Sequence, residues 1–173
     1  MSEVTINLIQ ESDLPELHAF EIKNRDFFEK EGFPRGDNYY ILENFNKVKK
    51  ALLEEQEQGL IYMYLIKNQE GMILGRVNLL SVVRGVFNKA VLGYRIGEGH
   101  EGKGYATRAV ALVLEEALNK HKLHRIEAGT SQSNVGSQRV LRRNGFQFVG
   151  RFHKYIYKNG KWCDSIYFEK ILD

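Results

Sequence analysis

The chain has 173 residues, 43% of them hydrophobic, with a formal net charge of +3. That length builds one ordinary core, and no apolar run approaches the roughly 18 residues needed to span a membrane. One cysteine, Cys163, excludes an internal disulfide and a cysteine-built metal site, and it fits a reducing, cytoplasmic setting. The mild positive charge suits an anionic small molecule and does not demand nucleic acid.

The opening MSEVTINLIQESD lacks the basic-then-apolar order of a secretory signal. Residues 4–9 read as a first strand, after which Ser12 or Asp13 caps a helix with Pro15 in its first turn. Residues 38–58 form a second helical region that ends near Gly59. LIYMYLIK (60–67) is a strand turned back by NQEG. MILGRVNLLSVV and VFNKAVLGYRI are two more strands around Arg84-Gly85. A helix covers about 104–120, a strand 124–131, and a helix 134–144, stopped by Gly145. FQFVGRFHKYIY and WCDSIYFEKIL close the chain around Asn159-Gly160, a hairpin signal. This order implies a single α/β (or α+β) domain over 1–173. Its sheet is mixed and mostly antiparallel, with a central right-handed strand–helix–strand crossover and helices on both faces.

Chemistry concentrates in GEGHEGKGYATRAVALVLEEALNK, residues 97–120. A helix start carries unpaired N–H groups and a partial positive charge, and glycines let the preceding backbone curl around an anion. The helix itself is amphipathic: Ala106, Ala109, Val110, Val113 and Ala117 share a face that Leu114 and Leu118 widen. Lys120, His121 and Lys122 end it, where positive charge is favourable. A bare glycine turn into a packed helix fits the same residues. So does a Walker-type loop through Gly97, Gly102 and Lys103, but Gly104 stands where its Ser or Thr belongs. Gly97, Gly99 and Gly102 also match a dinucleotide fingerprint. The next strand, however, ends in Thr130 and Ser131 where an acidic residue should be.

The segment EGKGYA (101–106) resembles the Q/R-x-x-G-x-G/A signature of the GNAT superfamily of N-acetyltransferases. NVGSQRVLRRNGF (134–146) resembles that superfamily's second motif, and with the closing NGKWCDSIYF it is most similar to the RimJ/RimL-type ribosomal-protein branch. The resemblance covers nearly the whole chain. It implies acetyl-CoA as co-substrate, no metal, and transfer of acetyl to a primary amine: a protein N-terminal α-amine or a small amine such as an amino acid, polyamine or amino sugar. It further implies that Ile96, Glu101, Gly102, Lys103, Gly104, Tyr105, Ala106 and Thr107 bind the donor. The backbone of Ile96 would pair with the pantetheine arm at a splay between its strand and 124–131. Asn134 would bind the same arm, Ser137 would protonate or hydrogen-bond the sulfur, and Arg143 or Arg139 would meet the 3′-phosphate. Asn134 also reads simply as a helix N-cap.

Three departures from the family pattern stand out. Glu101 replaces the usual Gln or Arg, which bears on CoA affinity. Val91 stands near a usual Glu, and Leu141 replaces a usual Tyr. An N-terminal amine needs little help from a base, since about a tenth of it is already neutral at pH 7, against under about a thousandth of a lysine. Positioning then supplies much of the rate. Glu127 and His153 are weak candidates for a base. Tyr94 either lines the acceptor site or packs in the core. Arg139, Arg142, Arg143, Arg151 and Lys154 also read as a solvated face. Phe27, Phe28, Phe33, Tyr39 and Tyr40 crowd the connection that covers the acceptor site. Arg35-Gly36-Asp37 is a turn. Two other functions stay open: a non-catalytic acyl-CoA-binding or regulatory protein on the same fold, and a P-loop hydrolase. The acceptor and the oligomeric state, a homodimer included, are open too.

Overall fold

A computed structural model describes residues 3–31 and 34–173. Phe33, singled out above, lies outside the described residues. The strands are β1 (Thr5–Leu8), β2 (Tyr62–Lys67), β3 (Ile73–Val83), β4 (Lys89–Ile96), β5 (Arg125–Thr130), β6 (Gln147–Lys158) and β7 (Lys161–Ile171). The helices are α1 (Leu14–Lys23), α2 (Arg25–Glu31), α3 (Asp37–Tyr40), α4 (Leu42–Glu57), α5 (Tyr105–Asn119) and α6 (Val135–Arg143). The seven strands form one open sheet in the order β1-β2-β3-β4-β5-β7-β6. Its pairs are antiparallel except β4 with β5, which α5 connects. This is the mixed sheet with a central crossover that the element order implied.

Side chains alternate across a strand, so a strand covered on both faces reads as one apolar run. In β2, Tyr64 and Ile66 enter one core with α5 and α6, through Val110, Val113, Ala117 and Leu141. Met63 and Leu65 enter the other, with α1, α2 and α4, through Leu17, Phe28 and Phe45. Helices therefore lie on both faces, and each face has its own core.

Several local expectations need correction. Asp13 precedes α1 but does not cap it with its side chain. Its carboxylate reaches back to accept the Gln10 N–H at 2.9 Å, closing the short turn before the helix. The 38–58 helical region is two helices, because Ile41 is extended between them. α2 was not anticipated at all. The Arg35-Gly36-Asp37 turn exists, with Gly36 at φ +74° and Arg35 over the Tyr39 ring at 4.7 Å. His121 does not carry charge at the end of α5. It is buried, stacks on Tyr62 at 3.4 Å, and burial pushes its pKa down to about 4. Among the described residues, no helix is long and apolar enough to cross a membrane.

Candidate active site

β4 runs beside β3 along its whole length, up to Ile96 opposite Gly75. On its other edge it pairs with β5 only through Lys89–Arg125, Ala90–Ile126 and Val91–Glu127. Beyond Val91 the two parallel strands part, and the β4 backbone from Leu92 to Ile96 presents an edge unpaired by β5. A cavity of about 490 Å³ opens at this splay. Tyr94, Arg95 and Ile96 form its floor, the 100–107 loop and helix start one rim, α6 another, and Phe27 and Phe28 of α2 the third.

The loop is shaped by its glycines. Gly99, Gly102 and Gly104 have φ of +78°, +72° and +83°, where a side chain is strained, and a Cβ at any of the three would meet nothing within 4 Å. The demand for glycine is therefore one of backbone conformation. Gly104 is the N-cap of α5, and the first helical bond runs from Arg108 N–H to its carbonyl at 3.0 Å. Among the described residues, no acceptor receives the N–H groups of Gly102 through Thr107. Unpaired amides at a helix start, with open space before them, fit a diphosphate.

Two asparagines hold this geometry, and sequence reasoning missed both roles. Asn24, buried after α1, accepts the Glu98 N–H at 2.8 Å and donates to the Phe20 carbonyl at 2.8 Å. A Cβ on Gly97 would come within 3.1 Å of it. Asn144 donates to the carbonyls of Thr107 at 3.1 Å and Val140 at 2.9 Å, tying the end of α6 to the first turn of α5. Nothing in the local pattern of either residue signals such a long-range bond.

Asn134 caps α6: its Oδ1 accepts the Ser137 N–H at 3.0 Å. The cap turns Ser137 and Asn134 toward the cavity, together with Gly136, Arg139, Val140 and Arg143. Tyr94 Oη lies 2.8 Å from Ser137 Oγ, and burial pushes its phenol pKa up against a smaller opposing effect of that contact. Tyr94 thus lines the cavity and packs against the core at once.

The structure brings Ile96, Glu101, Gly102, Gly104, Tyr105, Ala106, Thr107, Asn134, Ser137, Arg139 and Arg143 around one cavity. Lys103 is exposed and stands apart from the lining. Neither weak base candidate reaches it. Glu127 is held by Lys89 and by Arg125, which also pairs with Glu169. Burial opposes its ionisation, but the bonds from Arg125 and Lys89 keep its carboxyl below the usual range. His153 is exposed on β6, with Nδ1 2.9 Å from Asp164. Val91 sits at the closed end of the splay, and Leu141 is fully buried in the core. Among the described residues, no cluster of three or more His, Cys, Asp or Glu side chains could hold a metal.

A parted β4–β5 edge, a glycine loop with free amides and a capped helix bearing serine define a GNAT fold and its slot. The chain belongs to this family: the acetyltransferase (GNAT) domain matches residues 3–147. It is an N-acetyltransferase, 35% identical over 162 residues to the probable N-acetyltransferase YjcK of Bacillus subtilis, covering 93% of this chain and 90% of that one. It is 28% identical over 165 residues to the ribosomal protein uS5-alanine N-acetyltransferase of Escherichia coli, covering 94% and 84%. The crystal structure of ribosomal-protein-S5-alanine acetyltransferase from Vibrio fischeri matches with a TM-score of 0.92 at 28% identity, covering 100% of this chain and 95% of that one.

Proposed function

We propose that this enzyme takes acetyl from acetyl-CoA and places it on a primary amine, in a ternary complex, with a protein N-terminal α-amine as the favoured acceptor. One observation carries the reading. The unbonded amides of Gly102 and of Gly104 to Thr107, the open edge of β4 and Ser137 border one cavity, where they would take diphosphate, pantetheine and sulfur in turn. The thioester supplies an activated carbonyl for the amine to attack.

The protein's part is to hold and to orient. The 102–107 amides receive the diphosphate, with Arg139 and Arg143 beside it to meet the 3′-phosphate. The β4 edge pairs with the amides of the pantetheine arm as an added strand would. Asn134 commits Oδ1 to capping, which leaves its Nδ2 for the same arm. The backbone N–H at Ile96 faces the thioester oxygen as charge develops there. As the C–N bond forms and the C–S bond breaks, Ser137 Oγ gives its proton to the departing sulfur. Tyr94 replaces it through the 2.8 Å contact, and solvent returns a proton to Tyr94 as it takes up the one the amine sheds. The amine arrives neutral, which costs little for an N-terminus of pKa about 8, and loses its remaining extra proton to solvent. The relation to enzymes that act on ribosomal protein S5 supports a protein N-terminus over a lysine side chain.

Incubation with acetyl-CoA and a panel of N-terminal peptides, lysine peptides and small amines, read as free-thiol release, tests this. Turnover on peptide N-termini is expected. Tight CoA binding with no thiol release from any amine would establish the binding-only alternative instead.

A further inference from the structure

The cavity wall toward α1 and α2 carries a charge arrangement that the donor half does not use. Arg76 on β3 and Arg95 on β4 stand directly opposite each other, and like charges so placed repel. Glu21 of α1, 1% exposed, lies between them. It pairs ionically with Arg76 Nη1 at 3.2 Å and accepts hydrogen bonds from Arg95 Nη2 at 2.7 and 2.6 Å. Among the described residues, Glu21 is the carboxylate that both guanidiniums share. Lys49, 2% exposed, adds its amine to the same cluster. Burial first, then the charge of Arg76, pushes that amine down to about 6, so the cluster already refuses one more cation. The Nε groups of Arg76 and Arg95 and the hydroxyl of Tyr39 are buried with no hydrogen-bond partner among the described residues. Two guanidiniums on one carboxylate, with donors to spare, form a positively biased pocket.

Arg95 connects this cluster to the cavity. It lines the cavity and keeps 26% of its side chain exposed. Its guanidinium lies 4.2 Å over the Phe28 ring, and Phe28 lines the cavity too. Glu21 engages Nη2 and Nε is buried, so the stack and the anchored nitrogen fix the plane while Nη1 remains for a ligand. A planar fork held on an aromatic face suits a carboxylate.

We propose that Arg95, stacked on Phe28, receives a carboxylate of the acceptor, so that the favoured acceptor is an amine carrying an acidic group; this rests on the transferase reading. The group is either an amino acid's own carboxylate or an acidic side chain close to a peptide's N-terminus. A polyamine would bring further positive charge against this wall and is disfavoured.

Matched acceptors test it on the unmodified enzyme. Peptides differing only by Glu or Gln at the second or third residue, and amino acids paired with their amides, are compared in kcat/KM. The carboxylate members are expected to be favoured about tenfold, or about 1.4 kcal/mol. The peptide and amino-acid arms identify which source is used. Arg95→Gln should bring each ratio close to one while the CoA dissociation constant stays unchanged, and Arg95→Lys should retain part of the preference. In parallel, calorimetry on the CoA complex compares N-acetylated Glu and Gln peptides, which resemble products and need no turnover. Turnover with equal rates, or a preference untouched by Arg95→Gln, overturns the carboxylate site alone. Loss of all thiol release with the calorimetric preference intact overturns the transferase reading and leaves the carboxylate site standing.

Discussion

Tyr94 Oη stands 2.8 Å from Ser137 Oγ and 3.2 Å from the carbonyl oxygen of the same serine. Tyr94 has one proton to give. If the carbonyl takes it, Ser137 donates to Tyr94 and has no proton facing the cavity. If Oγ takes it, the serine proton is free for a sulfur. Ser137→Ala is therefore expected to lower kcat by about 100-fold, the low end of acid–base contributions, and Tyr94→Phe by about tenfold. CoA affinity should barely move in either. The double variant should be no slower than Ser137→Ala, because the residues act as one unit. Steady-state kinetics with calorimetric CoA binding checks this; independent, multiplying losses would break the relay.

Gly104 at φ +83° cannot take a side chain without strain. Gly104→Ala should destabilise the fold by about 1–2 kcal/mol and weaken CoA binding, since the free amides would be re-aimed. Denaturant melts read the first effect and calorimetry the second.

Arg143 and Glu101 border the cavity with opposite signs, and on the proposed reading they flank the donor's phosphates. Arg143→Ala should raise KM for acetyl-CoA about thirtyfold, or about 2 kcal/mol, within the ~1.5–3 kcal/mol of a charge-assisted hydrogen bond, with little change in kcat. Discrimination against 3′-dephospho-CoA should fall in parallel. Glu101→Gln should tighten CoA binding a few-fold, the small scale of an exposed charge.

Lys49 makes stability depend on pH. Its pKa falls from 10.5 to about 6 on folding. Between those values the unfolded chain holds a proton that the folded protein has shed, so stability rises with pH across this window, by at most ~1.4 kcal/mol per unit. Lys49→Met should raise stability at pH 7 and flatten the rise between pH 6 and 10. Chemical melts across that range measure it; an unchanged slope would show that another group carries it.

The fold was legible where periodicity and turn chemistry agree. α5 shows its face from Ala109 to Ala117, and the Asn159-Gly160 hairpin forms as its dipeptide promises. The curled backbone of the glycine loop was legible because positive φ favours that residue type, as Gly99, Gly102 and Gly104 show. What lay hidden depends on distant partners. Nothing in KAVLGYRI signals that Glu21, 74 positions earlier, and the Phe28 ring hold Arg95 half-buried. The junction of α1 and α2 at Asn24 is set by the loop it grips at Glu98. The base candidates lie off the cavity lining for a like reason: Glu127 is held by Lys89 across the sheet on β4 as well as by Arg125 two residues before it.

The brevity of the β4–β5 contact has a mechanical side. β1 to β4 form one braced panel and β5, β7 and β6 another, and along the sheet only three facing pairs join them. The line of least bracing is thus the line along which the proposed donor would lie. An extended arm laid along the free edge of β4 would act as a stitch, so occupancy should slow amide hydrogen exchange at Leu92–Ile96 and raise the melting temperature together.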